Sequence, residues 1–208
     1  MQDFLENAFQ NNFSHLEEEK NEYKFYRVDI GKLNVANGQI IACDPFLFND
    51  DKPFDTVFPI GHFPIELAIA CIDDDERIGF SRIKFSDKSP VRWTIAVTVD
   101  QDATKLSDDE IFGYGVDSGT GCFMDTSGAE KYSDYLNQKE DNFNVVIDEM
   151  EATYKHTRSW LIWDRDGFNV AMYSTGWGDG LYATYIGYDS ENSICRLVSD
   201  FGLLEWQQ

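Results

Sequence analysis

The sequence predicts an α+β fold: mainly antiparallel sheet, with an N-terminal helix and two or three helices inserted between residues 105 and 156. Three observations predict it. Apolar residues recur at helical spacing near the N-terminus and again over residues 143–154. They recur at every second position over residues 63–71, as on a half-buried strand. Strands and helices do not alternate in the regular order that a parallel sheet requires.

Taken in chain order, Leu5, Ala8, Phe9, Phe13 and Leu16 predict an amphipathic helix over residues 2–18, within an N-terminal segment of residues 1–20. Tyr23–Asp29 and Gln39–Cys43 read as strands around a turn at Asn37-Gly38. Phe63–Cys71 and Arg77–Phe85 form the clearest hairpin, closed by Asp73-Asp74-Asp75-Glu76, with Ile78, Phe80 and Arg82 on one side. Val91–Val99 is a further strand, with Trp93, Ile95 and Val97 on one face.

Ser107-Asp-Asp-Glu110 and Ser127-Gly-Ala-Glu130 both match the capping box, in which a serine side chain and a glutamate satisfy free N–H groups at a helix start. Ala129, Tyr132 and Leu136 share a face behind the second, and Phe143, Val146, Ile147, Met150 and Tyr154 define a further helix. Trp160–Trp163 and Phe168–Tyr173 flank a turn at Asp164–Gly167, and Leu181–Tyr188 and Ile194–Ser199 flank another at Asp189–Ser193. The 208 residues show no linker, repeat or low-complexity tract and fit a single domain, 1–208.

The chain carries a formal charge of −21 and is 42% hydrophobic, so a core is affordable and the charge is surface. The negative excess is 9 in residues 1–104 and 12 in residues 105–208, so it is distributed rather than held in a tail. Repulsion from phosphates argues against nucleic-acid binding, whereas a field of this sign favours basic partners and metal cations. No apolar run is long enough for a membrane span, and Met1–Lys20 lacks the features of a secretory signal, which points to the cytoplasm. Cys43, Cys71, Cys122 and Cys195 form no CxxC pair and read as reduced thiols; with only His15, His62 and His156 to join them, the pattern argues against zinc.

Candidate chemistry lies in three glycine-bearing stretches: Gly113–Asp125, Ser174–Gly180, and Cys43-Asp44-Pro45 with Gly61-His62-Phe63-Pro64. The first lacks the lysine of a phosphate loop. It does gather Asp117, Ser118, Thr120, Cys122 and Asp125, and its plainer reading is a glycine-lined bend whose Asp125 starts a helix. Trp177 and Asp179 pair an aromatic with a carboxylate on one turn. His62 is the candidate general base and Cys122 the candidate nucleophile, although an acidic setting raises a thiol's pKa. No cofactor motif is present; the one metal the sequence admits is a divalent cation on Asp117, Asp125 and Asp179. The acidic turn Asp73–Glu76 reads as a solvated loop tip before it reads as a calcium site.

Together these blocks resemble an uncharacterised bacterial family, domain of unknown function 4241. The resemblance lies in Ala42–Pro45, Gly61–Pro64, Arg92-Trp93, Val116–Asp125, Ser174–Gly180 and Arg196–Phe201, in that order over about residues 30–203. It implies a soluble bacterial protein with no established activity, and it supplies no catalytic residue. Some members carry tyrosine where His62 stands, which weakens His62 as a base.

Three functions remain open on the sequence. One is a binding protein, of the immunity or antitoxin type, that uses its charge to capture a basic partner. Its candidate contacts are Asp44, Arg92, Trp93, Asp117, Thr120, Asp125, Trp177 and Asp179. The second is a metal-assisted hydrolase, in which Asp44, Asp117, Asp125 and Asp179 converge on one cation. The third is a small-ligand sensor with an aromatic pocket drawn from Trp93, Trp177, Tyr182 or Tyr185.

Overall fold

The computed structural model describes residues 4–16, 22–47, 51–107 and 110–206. Among these, thirteen strands outweigh one single-turn helix and two longer helices, so the fold is mainly antiparallel β rather than the helix-bearing α+β arrangement predicted. The strands are β1 (Phe13–Leu16), β2 (Glu22–Val35), β3 (Ile40–Cys43), β4 (Gly61–Ile72), β5 (Asp75–Lys84), β6 (Arg92–Ile95) and β7 (Tyr114–Val116). They continue with β8 (Thr120–Asp125), β9 (Trp160–Arg165), β10 (Phe168–Ser174), β11 (Gly180–Tyr182), β12 (Thr184–Tyr188) and β13 (Ile194–Asp200). The helices are α1 (Phe4–Asn7), α2 (Thr126–Gln138) and α3 (Asn142–Glu151).

A seven-stranded sheet runs in the order β1-β2-β4-β5-β13-β12-β6, a four-stranded sheet in the order β3-β8-β10-β9, and β7 pairs with β11. The core lies between the two larger sheets, where Leu33, Ile65, Leu67, Ile83 and Leu197 meet Ala42, Phe123, Ala171 and Tyr173. Strand alternation then sends Ile41, Cys43, Cys122, Met124, Val170 and Met172 to the other face of the small sheet, under Ala129 and Tyr132 of α2 and Val146 and Met150 of α3. The outer face of the large sheet is covered by α1 and the C-terminal Leu203, Leu204 and Trp206. Strands buried on both faces read as continuous apolar runs, which is why Ile40–Cys43 shows no alternation.

Four local expectations are corrected. The predicted helix over 2–18 is one turn: Leu5, Ala8 and Phe9 are buried, the backbone reverses at Asn12 (φ 66°), and Phe13 enters β1 opposite Phe25 of β2. The helical spacing of Phe9 and Phe13 is thus satisfied by a reversed chain packing on one cluster; residues 2, 3, 17 and 18 of that prediction lie outside the described residues. At the first capping box, Ser107 N–H donates to Glu110 Oε2 at 3.0 Å, but among the described residues no helix follows before β7 begins at Tyr114. The cap has no downstream apolar stripe to bury, and a short helix without one does not hold. Asp108 and Asp109 lie outside the described residues.

The second helix start is Asp125 rather than Ser127: the Asp125 carboxylate accepts the Ser127 N–H at 3.0 Å and caps α2. Lastly, a bulge in the β4–β5 hairpin pairs Ile78 with Ile69 and Phe80 with Ala68. The additional residue, Gly79, sends Ile78 into the inter-sheet core and Phe80 to the α1 side, so the two do not share a face.

The strands flanking Asn37-Gly38 do not pair with each other. β2 pairs with β1 and β4, whereas β3 pairs with β8, so the chain changes sheet at this corner. Gly38 sits at φ 82°, and a Cβ there would lie 2.6 Å from the Phe58 carbonyl oxygen, which glycine alone avoids. The hairpins β4–β5, β9–β10 and β12–β13 stand where the sequence places them, although Leu181 and Tyr182 leave the last to join β11.

Candidate functional site

Gly61–Pro64 lies apart on β4, but the Gly113–Asp125 stretch is held to Cys43-Asp44-Pro45 by Asp44. This buried carboxylate ends β3 and accepts four hydrogen bonds. Oδ1 takes the Phe46 N–H at 2.9 Å and the Ser118 hydroxyl at 2.8 Å, and Oδ2 takes the N–H groups of Asp117 at 3.1 Å and Ser118 at 2.8 Å. The loop between β7 and β8 is therefore pinned to the end of β3. Gly119 makes the turn at φ 68°, and its carbonyl accepts the Thr175 N–H at 3.0 Å, tying this loop to the Ser174–Gly180 stretch. That stretch closes on itself, with Thr175 Oγ1 and Tyr182 Oη both donating to the Gly178 carbonyl, at 2.7 and 2.6 Å.

Beside the pinned loop lies a cleft of about 480 Å³. Its other wall is the outer stripe of α3, where Phe143, Ile147 and Met150 follow helical spacing, with Tyr154 just beyond the helix. Val146 and Met150 bury into the core beneath α2 and α3, while Phe143 packs edge-on against Phe46 at 5.2 Å. The lip is apolar and open: Leu47 is 55% exposed and Tyr154 60%. Asp117 and Glu151, both exposed, supply two carboxylates, and among the described residues neither Lys nor Arg lines the cleft. Thr120, buried at the start of β8, completes the loop side.

The remaining predicted residues lie elsewhere. Asp125 is fully buried, accepting from Ser127 and from the Asn37 N–H at 3.1 Å, which makes it the anchor of α2 and of the sheet-changing corner. Cys122 is fully buried opposite Cys43, their Sγ atoms 3.6 Å apart, and burial pushes the Cys43 thiol well above its ordinary pKa. His62 is exposed on β4 opposite Asn34, in a different sheet, so it does not serve Cys122 as a base. Arg92 stacks 4.0 Å over Tyr188 and donates to Asn192 at 2.7 Å at the far edge of the large sheet. Trp93 packs on the outer cluster of that sheet and against Gly187, so neither residue reaches the cleft.

Among the described residues no three His, Cys, Asp or Glu side chains gather in a metal-binding group, so Asp44, Asp117, Asp125 and Asp179 do not form one ligand set. The second half of the acidic turn, Asp75 and Glu76, is committed to protein contacts, and Asp73 and Asp74 are exposed. Asp75 pairs with Arg77, and Glu76 accepts from Tyr26 at 2.8 Å and Arg158 at 2.6 Å. Burial raises the Glu76 carboxyl, but the hydrogen bonds from Tyr26 and Arg158 outweigh it and hold the group below its ordinary value. Trp177 and Asp179 lie exposed on a turn that borders a second pocket, shared with Tyr182 and Tyr185 but not with Trp93.

Phe46, Leu47 and Glu151 of the cleft carry no sequence signal of their own. The signal that could have found the cleft is the width of the α3 stripe: five apolar positions, of which two suffice to seat the helix in its core.

Fold and site define a two-sheet β protein that presents a carboxylate-rimmed apolar cleft between a glycine-bearing loop and a helix. The profile of Protein of unknown function (DUF4241) matches residues 33–199, and the chain belongs to that family. The match takes in every residue named for the cleft, whereas α1, β1 and the C-terminal Leu203–Trp206 fall outside it. No curated protein and no solved structure matches the chain.

Proposed function

We propose that this protein is a binding protein that captures a basic protein partner through the cleft between the Asp117–Thr120 loop and α3, as an immunity or antitoxin protein does. The observation that carries the reading is an open apolar cleft whose charged lining residues, among those described, are carboxylates, on a chain of net charge −21. Large apolar side chains exposed together mark interaction surfaces, and a lip that stands open suits a protein surface better than an enclosed small molecule. An apolar anchor from the partner would fill the cleft while flanking Lys or Arg side chains meet Asp117 and Glu151. The distributed negative charge would accelerate encounter. Four unpaired cysteines support a reducing, cytoplasmic setting. A hydrolase is not proposed, because its four carboxylates serve separate purposes.

The test places a photo-crosslinking phenylalanine analogue at Tyr154 on the cleft lip and, as a control, at Val91, exposed beside the edge strand β6. The expected result in the native host is a basic protein crosslinked from position 154 and not from 91. Its yield should fall at high salt and in the D117N/E151Q double variant. Equal capture at both positions, or a partner that is not basic, overturns the reading.

A further inference from the structure

The second pocket, about 380 Å³, lies between the turn after β10 and the end of β13, and it shares no lining residue with the cleft. Trp177, Tyr182 and Tyr185 supply aromatic walls, Asp179 and Asp200 supply two carboxylates, and among the described residues no Lys or Arg lines it. Ile111, Trp177 and Leu181, each more than a third exposed, gather at this one place.

The walls are held in position. Tyr182 is fixed by its hydroxyl on the Gly178 carbonyl and by an edge-to-face contact with Phe201 at 5.3 Å. Tyr185 stands edge-on to Trp206 at 5.9 Å, and Trp206 Nε1 donates to Asp200 Oδ2 at 2.6 Å. Asp200 Oδ1 accepts the Gly202 N–H at 2.9 Å, so the carboxylate is oriented by two donors. Trp177 already carries a cation on one face: Arg77 Cζ lies 4.3 Å from the ring centre, its charge paired with Asp75 at 2.8 Å and Nη1 donating to the Gly176 carbonyl at 3.1 Å.

Two carboxylates supply only part of the roughly six-oxygen shell of a divalent ion, and no third His, Cys, Asp or Glu among the described residues joins them. An anion would meet repulsion and no cationic partner. Aromatic faces beside carboxylates match a cation whose charge is spread over alkyl groups or a guanidinium plane. We propose that this pocket binds an organic cation, a quaternary ammonium or guanidinium group, carried on a small molecule or on a side chain. The proposal stands independently of the cleft.

The experiment titrates the full chain with choline, with its neutral isostere 3,3-dimethyl-1-butanol, and with N-acetylarginine amide. The indole N–H resonances of Trp177 and Trp206 are followed, with Trp160 of β9 as the control. The expected result is saturable binding of at least one cation, with the isostere about tenfold weaker or more, as loss of the cation–aromatic and ion-pair attraction requires. Asp179→Asn and Asp200→Asn should each weaken it severalfold. Asp179 is exposed, so its variant remains informative where Asp200→Asn disturbs folding. A preference for choline identifies a small-molecule site, and a preference for the arginine derivative identifies a side chain. Equal binding of the isostere overturns the proposal, as do unsaturating shifts that appear equally at Trp160, the mark of diffuse attraction to an acidic surface.

Discussion

The two outer faces of the sheet pair are covered in different ways. On the large sheet the covering is closed and ionic: Glu6 of α1 reaches Arg82 of β5 at 3.0 Å and Arg196 of β13 at 2.9 Å, while Glu66 of β4 also meets Arg82. A helix of four residues has little apolar area to bury, and its hold rests on these pairs together with Leu5, Ala8 and Phe9. On the small sheet the covering is apolar, from α2 and α3, and it is incomplete, leaving the outer stripe of α3 to line the cleft. The closed face lies largely beneath elements outside the family match, and the open face entirely within it. The cleft proposed for partner capture thus lies on the face opposite the ionic covering.

The largest effect that could break this contrast is at Arg82. Replacing it with alanine leaves Glu66 buried with a weakened partner, and breaking such a pair costs about 3–5 kcal/mol. Urea unfolding should record a loss of that size, while capture through Tyr154 persists in the fraction that stays folded. A loss below about 1 kcal/mol would mean that apolar packing alone holds the closed face.

Asp200, beside Trp206 on the same side, sharpens the contrast through pH. Burial raises its carboxyl to about 6, against the hydrogen bonds from Gly202 and Trp206. In the unfolded chain the group titrates near ~3.9. Between those values the folded protein holds a proton that the unfolded chain has released. Stability from this group is therefore fully present below about pH 4 and lost as pH rises through about 6. Relative to Asp200→Asn, the wild type should lose up to ~3 kcal/mol across that window in unfolding curves taken at stepped pH. Parallel curves would contradict the assignment.

On the open side, Asp125→Ala should cost about 1–2 kcal/mol by uncapping α2, and Asp125→Asn should restore most of it, since an acceptor remains. Smallest in stability is Phe143→Ser, at about 1 kcal/mol for a side chain already partly exposed. It should nevertheless lower crosslinking from Tyr154 severalfold. A stability loss without a binding loss would separate the α3 stripe from recognition.

Much of the local structure was legible. The β4–β5 hairpin, the α3 stripe and the turn within Asp164–Gly167, which the structure narrows to Asp166-Gly167, each depend on neighbours within about a dozen positions, where periodicity and turn chemistry act. The capping role of Asp125 was legible as the plainer reading of that residue. The failures share a cause. Phe9 and Phe13 have helical spacing, but a reversal at Asn12 buries Phe9 and packs Phe13 against the same cluster, and periodicity records burial without naming the partner. The Ser107–Glu110 contact forms without a helix because a cap adds little when nothing beyond it packs.

By itself the sequence determined the apolar stripe of α3, the capping role of Asp125, the distributed negative charge and the glycine-bearing stretches. Only the tertiary structure decided that β3 leaves β2 for β8, that Gly79 turns Ile78 away from Phe80, and that Asp44 gathers Asp117 and Ser118 while Asp125 stays apart. Turns and caps are fixed by hydrogen bonds a few residues long. Strand partners and shared clefts depend on contacts between distant segments, whose loop-closure entropy is repaid only when the whole core assembles.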